Sequence, residues 1–469
     1  HLRTGAALAE RAAGPELLTV HFDRAGAHQK TWEAGRLAGK RAMERNAPME
    51  AATMLDRALA SARRLGSTPI APRAEASELL GDALCQAGQT KDGDKAYVAA
   101  EDLAKTKRDR ARLLRKRAQL RQRGGQYPAA LRMLTKALKS LPSASGPGER
   151  AELELAYAGV RLRQGRYRDA IERCDLAIPL AEKADDVAAV GRAHYVRARA
   201  SSHLEAGSGV EDAKRALAIF ESTGDHLMQA KVLDLLGSGA YDRGQWDEAL
   251  AFEERSAQQR ELAGDAVGSA VAGYRRALVL VNQGKFDEAE PALEEIRTAS
   301  RAANYPLGVA MSTMHLANGV ARSGDSESAL GILKETLVAF EDLGAERCIV
   351  YNQLAQAEAH LLSGAVDAAL AGAEEALETA MTTAGVEVPV VGLQRVRGIA
   401  LVWRGNTQDG HVQLMNALER ARRVDAAFEE VLILDTLATL YGDDEAANQR
   451  DSIIQRLGIV KLPPFLTVN

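Results

Sequence analysis

The chain has 469 residues with 60 basic and 64 acidic side chains, a net charge of −4, and only 4% aromatic residues. That balance excludes a chain built as a whole to coat nucleic acid or an anionic membrane. So few aromatics also argue against one compact core of this length, whereas the abundance of Ala and Leu suits closely packed helix pairs. Cys85, Cys174 and Cys348 stand far apart and odd in number. They offer no disulfide framework and no zinc-ligand spacing, which points to a reducing compartment, the cytoplasm. The most apolar stretch, Val386 to Trp403, is interrupted by Arg395 and Arg397, so no membrane span is expected.

In chain order, residues 1–30 read as an N-terminal helical segment ending in His21-Phe22-Asp-Arg-Ala25-Gly26. A repeat then runs over residues 31–457. Its signature is a Gly, an apolar or aromatic residue two places on, and an Ala five places on. It appears as Gly125-Gln-Tyr127-Pro-Ala-Ala130, Gly165-Arg-Tyr167-Arg-Asp-Ala170, Gly244-Gln-Trp246-Asp-Glu-Ala249, Gly284-Lys-Phe286-Asp-Glu-Ala289 and Gly364-Ala-Val366-Asp-Ala-Ala369. Gly324 to Ala329 fits too, with Ser326 in place of the aromatic. Glycines 88, 125, 165, 207, 244, 284, 324, 364 and 405 are spaced by 37 to 42 residues, and Ala47 and Gly442 extend the series to about eleven turns. Residues 458–469, with Pro463 and Pro464, read as an extended tail.

Each element of the repeat has a physical task. The Gly ends the first helix of a hairpin in a left-handed conformation at no steric cost. The aromatic folds into the seam between the two helices. Asp or Asn ahead of the second helix is expected to cap it, and acids in its first turn suit the positive end of the dipole. The Ala sits where the helices cross. Seven places before the turn, Gly237, Ala277, Ala317, Ala357 and Gly398 mark a second close approach.

This grammar resembles the tetratricopeptide repeat, with a period near 40 in place of the common 34, as in the longer repeats of large bacterial signalling proteins and kinesin light chains. The resemblance implies an all-α, right-handed superhelix of about eleven helical hairpins that binds other molecules and is not itself an enzyme. In such a stack each hairpin touches mainly its neighbours, so hydrogen exchange is expected to be slow around residues 210–340 and faster near residues 1–30 and after Gly442. The segment from Leu8 to Gly26 resembles the junction at which the P-loop ATPase and winged-helix part of large bacterial regulators passes into C-terminal repeats. Together with the absence of an initial Met, this implies a piece of a larger protein: a class III adenylate/guanylate cyclase joined to a signal-transduction ATPase, or alternatively a LuxR-type activator. A stand-alone adaptor is a further alternative. The implied partner is a protein or peptide, the chain's own upstream ATPase part included. No cofactor, nucleic acid or membrane is implied.

No P-loop, H-E-x-x-H, G-x-S-x-G or paired-cysteine motif occurs. His194, His203, His315 and His360 fall on first helices and read as structural or solvated. Lys105 to Arg123 carries ten basic residues against Asp109, on one helix with a positive outer face. Residues 325–390 carry twelve acids against Lys334 and Arg347, an asymmetry that allows self-association. First helices line the concave face of a tetratricopeptide superhelix. Counting back from each turn places Arg115, Gln119, Lys231, Asp234, Ser238, Tyr241, Tyr274, Asn282, Met314, Asn318 and Arg322 there, with Tyr241 and Tyr274 as exposed aromatic anchors for an extended segment.

Overall fold

The computed structural model describes residues 1–66, 69–142, 146–204, 207–383 and 385–463, and every regular element among them is helical. Residues 464–469 of the expected tail lie outside the described residues. The helices are α1 Leu2–Glu10, α2 Pro15–Arg24, α3 His28–Glu44, α4 Pro48–Leu65, α5 Ile70–Gln86, α6 Thr90–Leu103, α7 Lys107–Arg123 and α8 Tyr127–Ser140. They continue as α9 Pro147–Arg163, α10 Tyr167–Lys183, α11 Val187–Ser202, α12 Val210–Thr223, α13 His226–Asp242, α14 Trp246–Leu262, α15 Ala266–Ser269 and α16 Tyr274–Gln283. The rest are α17 Phe286–Ala302, α18 Pro306–Ser323, α19 Ser326–Asp342, α20 Glu346–Leu362, α21 Val366–Thr382, α22 Glu387–Trp403, α23 Thr407–Arg423, α24 Ala427–Tyr441 and α25 Asp444–Leu457. From α3 onward they pair as antiparallel hairpins, with α15 and α16 together standing as one first helix.

The turn glycines behave as the repeat demands: Gly88, Gly125, Gly165, Gly207, Gly244, Gly284, Gly324, Gly364, Gly405 and Gly442 all have positive φ. In the first hairpin the turn residue is Asn46 (φ 56°), one place before the expected Ala47, and the crossing residue is Ala51, which is fully buried. Asn takes the left-handed conformation because its short polar side chain tolerates it. In the last hairpin the more buried alanine is Ala446, not Ala447. The second helices depart from the expected capping. α14, α17 and α21 begin without a side-chain cap, and their acids (Asp247, Asp287, Asp367) lie inside the first turn, where they meet the dipole. Asp325 does cap α19, accepting from the Ser328 N–H.

The crossing alanines are sealed. Ala130, Ala170, Ala249, Ala329 and Ala369 are 0% exposed, and Ala277, Ala317 and Ala357 at the second approach are 0–1% exposed. Overpacking such a site costs about 1–3 kcal/mol. Ala249→Leu is therefore expected to lower the urea midpoint clearly, with the exposed Glu254→Gln as the silent comparison. Glu253, one place away, is no such comparison: its carboxylate accepts the backbone N–H groups of Arg275 (2.8 Å) and Arg276 (3.1 Å).

The chain forms two compact units, His1–Val160 with Glu172–Ala189, and Arg161–Ile171 with Val190–Asn469. In the first unit, the basic helix α7 does not present a free positive face. Arg112 forms a two-pronged pair with Glu78 (3.0 and 2.9 Å), Lys116 reaches Glu78 and Asp82, Arg117 bridges Asp94 and Glu101, and Arg121 reaches Asp94. Arg108 and Arg115 meet Glu149 and Glu152. The run that looks like a binding surface in the sequence is thus largely neutralised by acids of the adjoining helices α5, α6 and α9.

In the second unit the hairpins do not touch only their neighbours. Trp246, Val279, Ala427, Val431, Leu457 and Ile459 form one buried cluster. The Val460 N–H donates to the Gln283 carbonyl (2.9 Å), and Gln283 Nε2 donates to the Leu457 carbonyl (3.0 Å). The segment after α25 therefore seats on the turns of hairpins about 170 residues earlier, and the run of repeats closes on itself. Two turn glycines serve twice here. A Cβ on Gly284 would run into the Lys461 backbone, and one on Gly244 would lie 2.7 Å from Leu457 Cδ2.

Candidate functional site

Within the second unit, three adjoining cavities of about 690, 590 and 130 Å³ open among the first helices of the hairpins. They share Asp242 and Tyr351. The two larger ones fall in the range of ligand pockets. The largest is lined by Tyr195, Tyr241, Tyr274, Tyr305 and Tyr351, by Met311 and Met314, and by Lys231, Asp234, Arg260 and Arg275.

A break in a first helix shapes this cavity. Between α15 and α16 the chain turns at Gly273 (φ 84°), and Gly268, Val271, Ala272 and Tyr274 around the break face the open volume. Hydrogen bonds hold the two ends. Asp265 caps α15 through the Gly268 N–H and pairs with Arg260 (2.7 Å), while the Glu253 carboxylate accepts the Arg275 and Arg276 N–H groups in the first turn of α16. Arg260 also grips Asp234, whose other oxygen accepts from Ser256 (2.7 Å).

The smallest cavity is edged by a chain of polar contacts that steps from one first helix to the next. Asn282 Nδ2 donates to Tyr241 Oη (2.6 Å), and Arg322 approaches Asn282 Oδ1 (3.5 Å) and Glu358 (3.6 Å). Arg395 closes the chain by binding both Glu358 and, at 2.9 Å, Glu429. Arg395 is 5% exposed and Glu429 8%, so two guanidinium and two carboxylate groups balance within the protein interior.

Of the residues placed on the concave face from the sequence, Lys231, Asp234, Ser238, Tyr241, Tyr274 and Met314 line the largest cavity, and Tyr241, Asn282, Met314, Asn318 and Arg322 the smallest. Arg115 and Gln119 belong to the first unit and are not among the residues lining these three cavities. Tyr241 and Tyr274 are half-buried rather than exposed. Burial raises both hydroxyls above the ordinary tyrosine value. Tyr274 packs edge-on to His315 at 5.6 Å, and burial, with Arg322 nearby, lowers that imidazole to about 3, so it is neutral. His194 pairs with Asp212 (2.8 Å). His203 stacks on Tyr167 at 4.5 Å and is lowered to about 4 by burial, then by Arg347 and Arg199. Among the described residues no His, Cys, Asp and Glu cluster could hold a metal ion.

Sequence reasoning missed Asp242, Tyr305, Met311, Arg347 and Tyr351. Asp242 is strongly perturbed: burial, only partly offset by Arg275, Arg347 and Arg243, lifts its carboxyl to about 6. Such a group is held at a cost to stability above that pH, a mark of sites shaped for something other than folding. Its position one place after Tyr241, just before the turn, was the available signal.

No protein-family model matches the chain, and no curated protein matches it. Among solved structures, a Rap protein complexed with competence and sporulation factor superposes with a TM-score of 0.53 at 13% identity, covering 81% of this chain and 99% of that one. At that identity the likeness is one of fold. A signal transduction ATPase with numerous domains and a tetratricopeptide repeat sensor, from Pyrococcus horikoshii, aligns with a TM-score of 0.48 at 14% identity over 71% of this chain. The chain spans 54% of that ATPase. The chain has an all-α, tetratricopeptide-like helical-repeat fold. No described helix is long and apolar enough to cross a membrane.

Proposed function

We propose that the chain is a sensor or scaffold module that receives an extended segment of a protein or peptide in the largest of these three cavities. The observation that carries this reading is the lining: tyrosines and methionines on successive first helices, with Lys231, Asp234, Arg260 and Arg275 between them. Tyrosines supply broad contact area with an exposed hydroxyl tip, methionines adapt to varied side chains, and flanking charges fix register. The similar Rap protein was solved with a bound factor, which supports the use of such a fold for holding a partner.

The resemblance of the Leu8–Gly26 stretch supports a cytoplasmic bacterial regulator in which this module governs a cyclase and ATPase part. The coding sequence upstream of His1 decides that: it should encode a P-loop lysine and cyclase aspartates, and a frame lacking both overturns the assignment. The binding itself is tested by panning a random peptide library on the full chain and titrating the selected peptides. Met311→Lys, which places a charge on a half-buried cavity wall, is expected to weaken them about tenfold or more, the effect of one lost anchor of ~1.4 kcal/mol. Selected peptides that bind this variant as well as the parent would move the site elsewhere.

A further inference from the structure

The cavity of about 590 Å³ beside the aromatic one shares Arg199 and Arg347 with it and adds further arginines of its own. Arg199 of α11, Arg243 at the end of α13, Arg347 of α20, and Arg420 and Arg423 of α23 all line it. Elsewhere in the chain arginines such as Arg112, Arg117, Arg260, Arg322, Arg395 and Arg450 each hold a carboxylate. Among the described residues, none of these five has a carboxylate within 4 Å. Among the described residues the lining offers two acids, Asp242 and Glu387, and neither forms an ion pair there. Arg243 Nε is spent on Gln245 (2.7 Å), and Arg199 lies over the Tyr195 ring at 5.7 Å, which orients its planar head. The Arg420 Nε is shut off from solvent with no hydrogen-bond partner.

Like charges brought together from four repeats repel one another, and folding gains nothing by leaving them unpaired. An occupant with several negative oxygens would relieve that repulsion and satisfy the orphaned donor. Guanidinium forks match tetrahedral oxyanions two bonds at a time, better than an ammonium would. The neutral His203 ring and the solvent-exposed Arg347 and Arg423 add a further polar group and an entry path. We propose that this cavity is a binding site for a small, multiply charged oxyanion of the phosphate class.

Inorganic pyrophosphate is the probe, titrated calorimetrically into the full chain at fixed ionic strength, with sulfate as the less charged comparison. Pyrophosphate is expected to bind more tightly than sulfate and to weaken as salt is raised. Arg347→Met, on an exposed side chain whose loss leaves the fold in place, and the double variant Arg420→Met/Arg423→Met should each weaken it about tenfold or more, as removal of a charge-assisted bond does. Arg404→Met, whose side chain is exposed and pairs with Asp367 outside the cavity, should leave it unchanged. Absence of binding at millimolar pyrophosphate, or equal weakening by all three variants, overturns the proposal. If the double variant fails to fold, Arg347→Met alone decides.

Discussion

Arg395→Met is expected to destabilise the second unit by about 3–5 kcal/mol at neutral pH, the cost of removing one partner from a buried ion pair. Arg395 is 5% exposed and holds two carboxylates, Glu358 and Glu429. Methionine fills much of the same space, so the loss is electrostatic rather than a cavity. Glu358 keeps only Arg322, at 3.6 Å, and Glu429 keeps no guanidinium partner. The pH dependence has a definite sign. In the parent chain burial pushes the Glu358 carboxyl up, but Arg395 and Arg322 outweigh it and hold it below 4.5. Its contribution to stability is therefore present above the unfolded value and is lost as pH falls through the lower folded one. In the variant burial wins at Glu358, its carboxyl rises above 4.5, and the folded state takes up a proton first. The defect measured by urea unfolding should then shrink between pH 7.5 and pH 4.5, and Glu429→Gln added to Arg395→Met should recover part of it. A defect independent of pH, unrelieved by the second substitution, would show that the four-group chain is not what holds these helices.

The contrast between what could and could not be read in advance follows from sequence distance. The turn Gly364 and the crossing Ala369 act within one hairpin, so their spacing reveals their tasks, and the structure seals Ala369 completely. Asn46 hid its turn because the role normally written as Gly was carried by another residue able to adopt positive φ. The basic run of α7 misled for a related reason. Its partners Glu78, Asp82 and Asp94 sit one hairpin earlier, and a charge count along one helix does not register them. For the cavities, counting back from each turn pointed to first helices, several of which contribute to the lining. Tyr241, Tyr274 and Met314, placed by that count, line the largest of the three cavities, because a first helix presents the same face in every repeat. The count could not find the break between α15 and α16, nor the arginines that four separate repeats bring together.

Closure of the second unit sets the last expectation, and it departs from simple repeat behaviour. In an open stack, stability passes from neighbour to neighbour, and the terminal hairpin frays first. Here Leu457, 3% exposed, packs with Trp246 and Val279, and the backbone just beyond it bonds to Gln283. Leu457→Ala removes a buried side chain worth about 2–5 kcal/mol. If closure couples the ends, hydrogen exchange should quicken not only in α25 but also around residues 275–283, although hairpins far from the seam, such as that of Gly364, stay protected. A second pair of variants separates closure from turn strain. Gly284→Ala and Gly364→Ala place the same methyl on turns of φ 77° and 76°. The Gly364 site has open space around it, whereas the Gly284 methyl collides with the Lys461 backbone. Both should show the left-handed penalty of about 1–2 kcal/mol, and Gly284→Ala should show a further loss together with release of α25. Equal effects of the two glycine variants, with exchange around residues 275–283 untouched by Leu457→Ala, would mean that the last segment rests on the repeats without holding them.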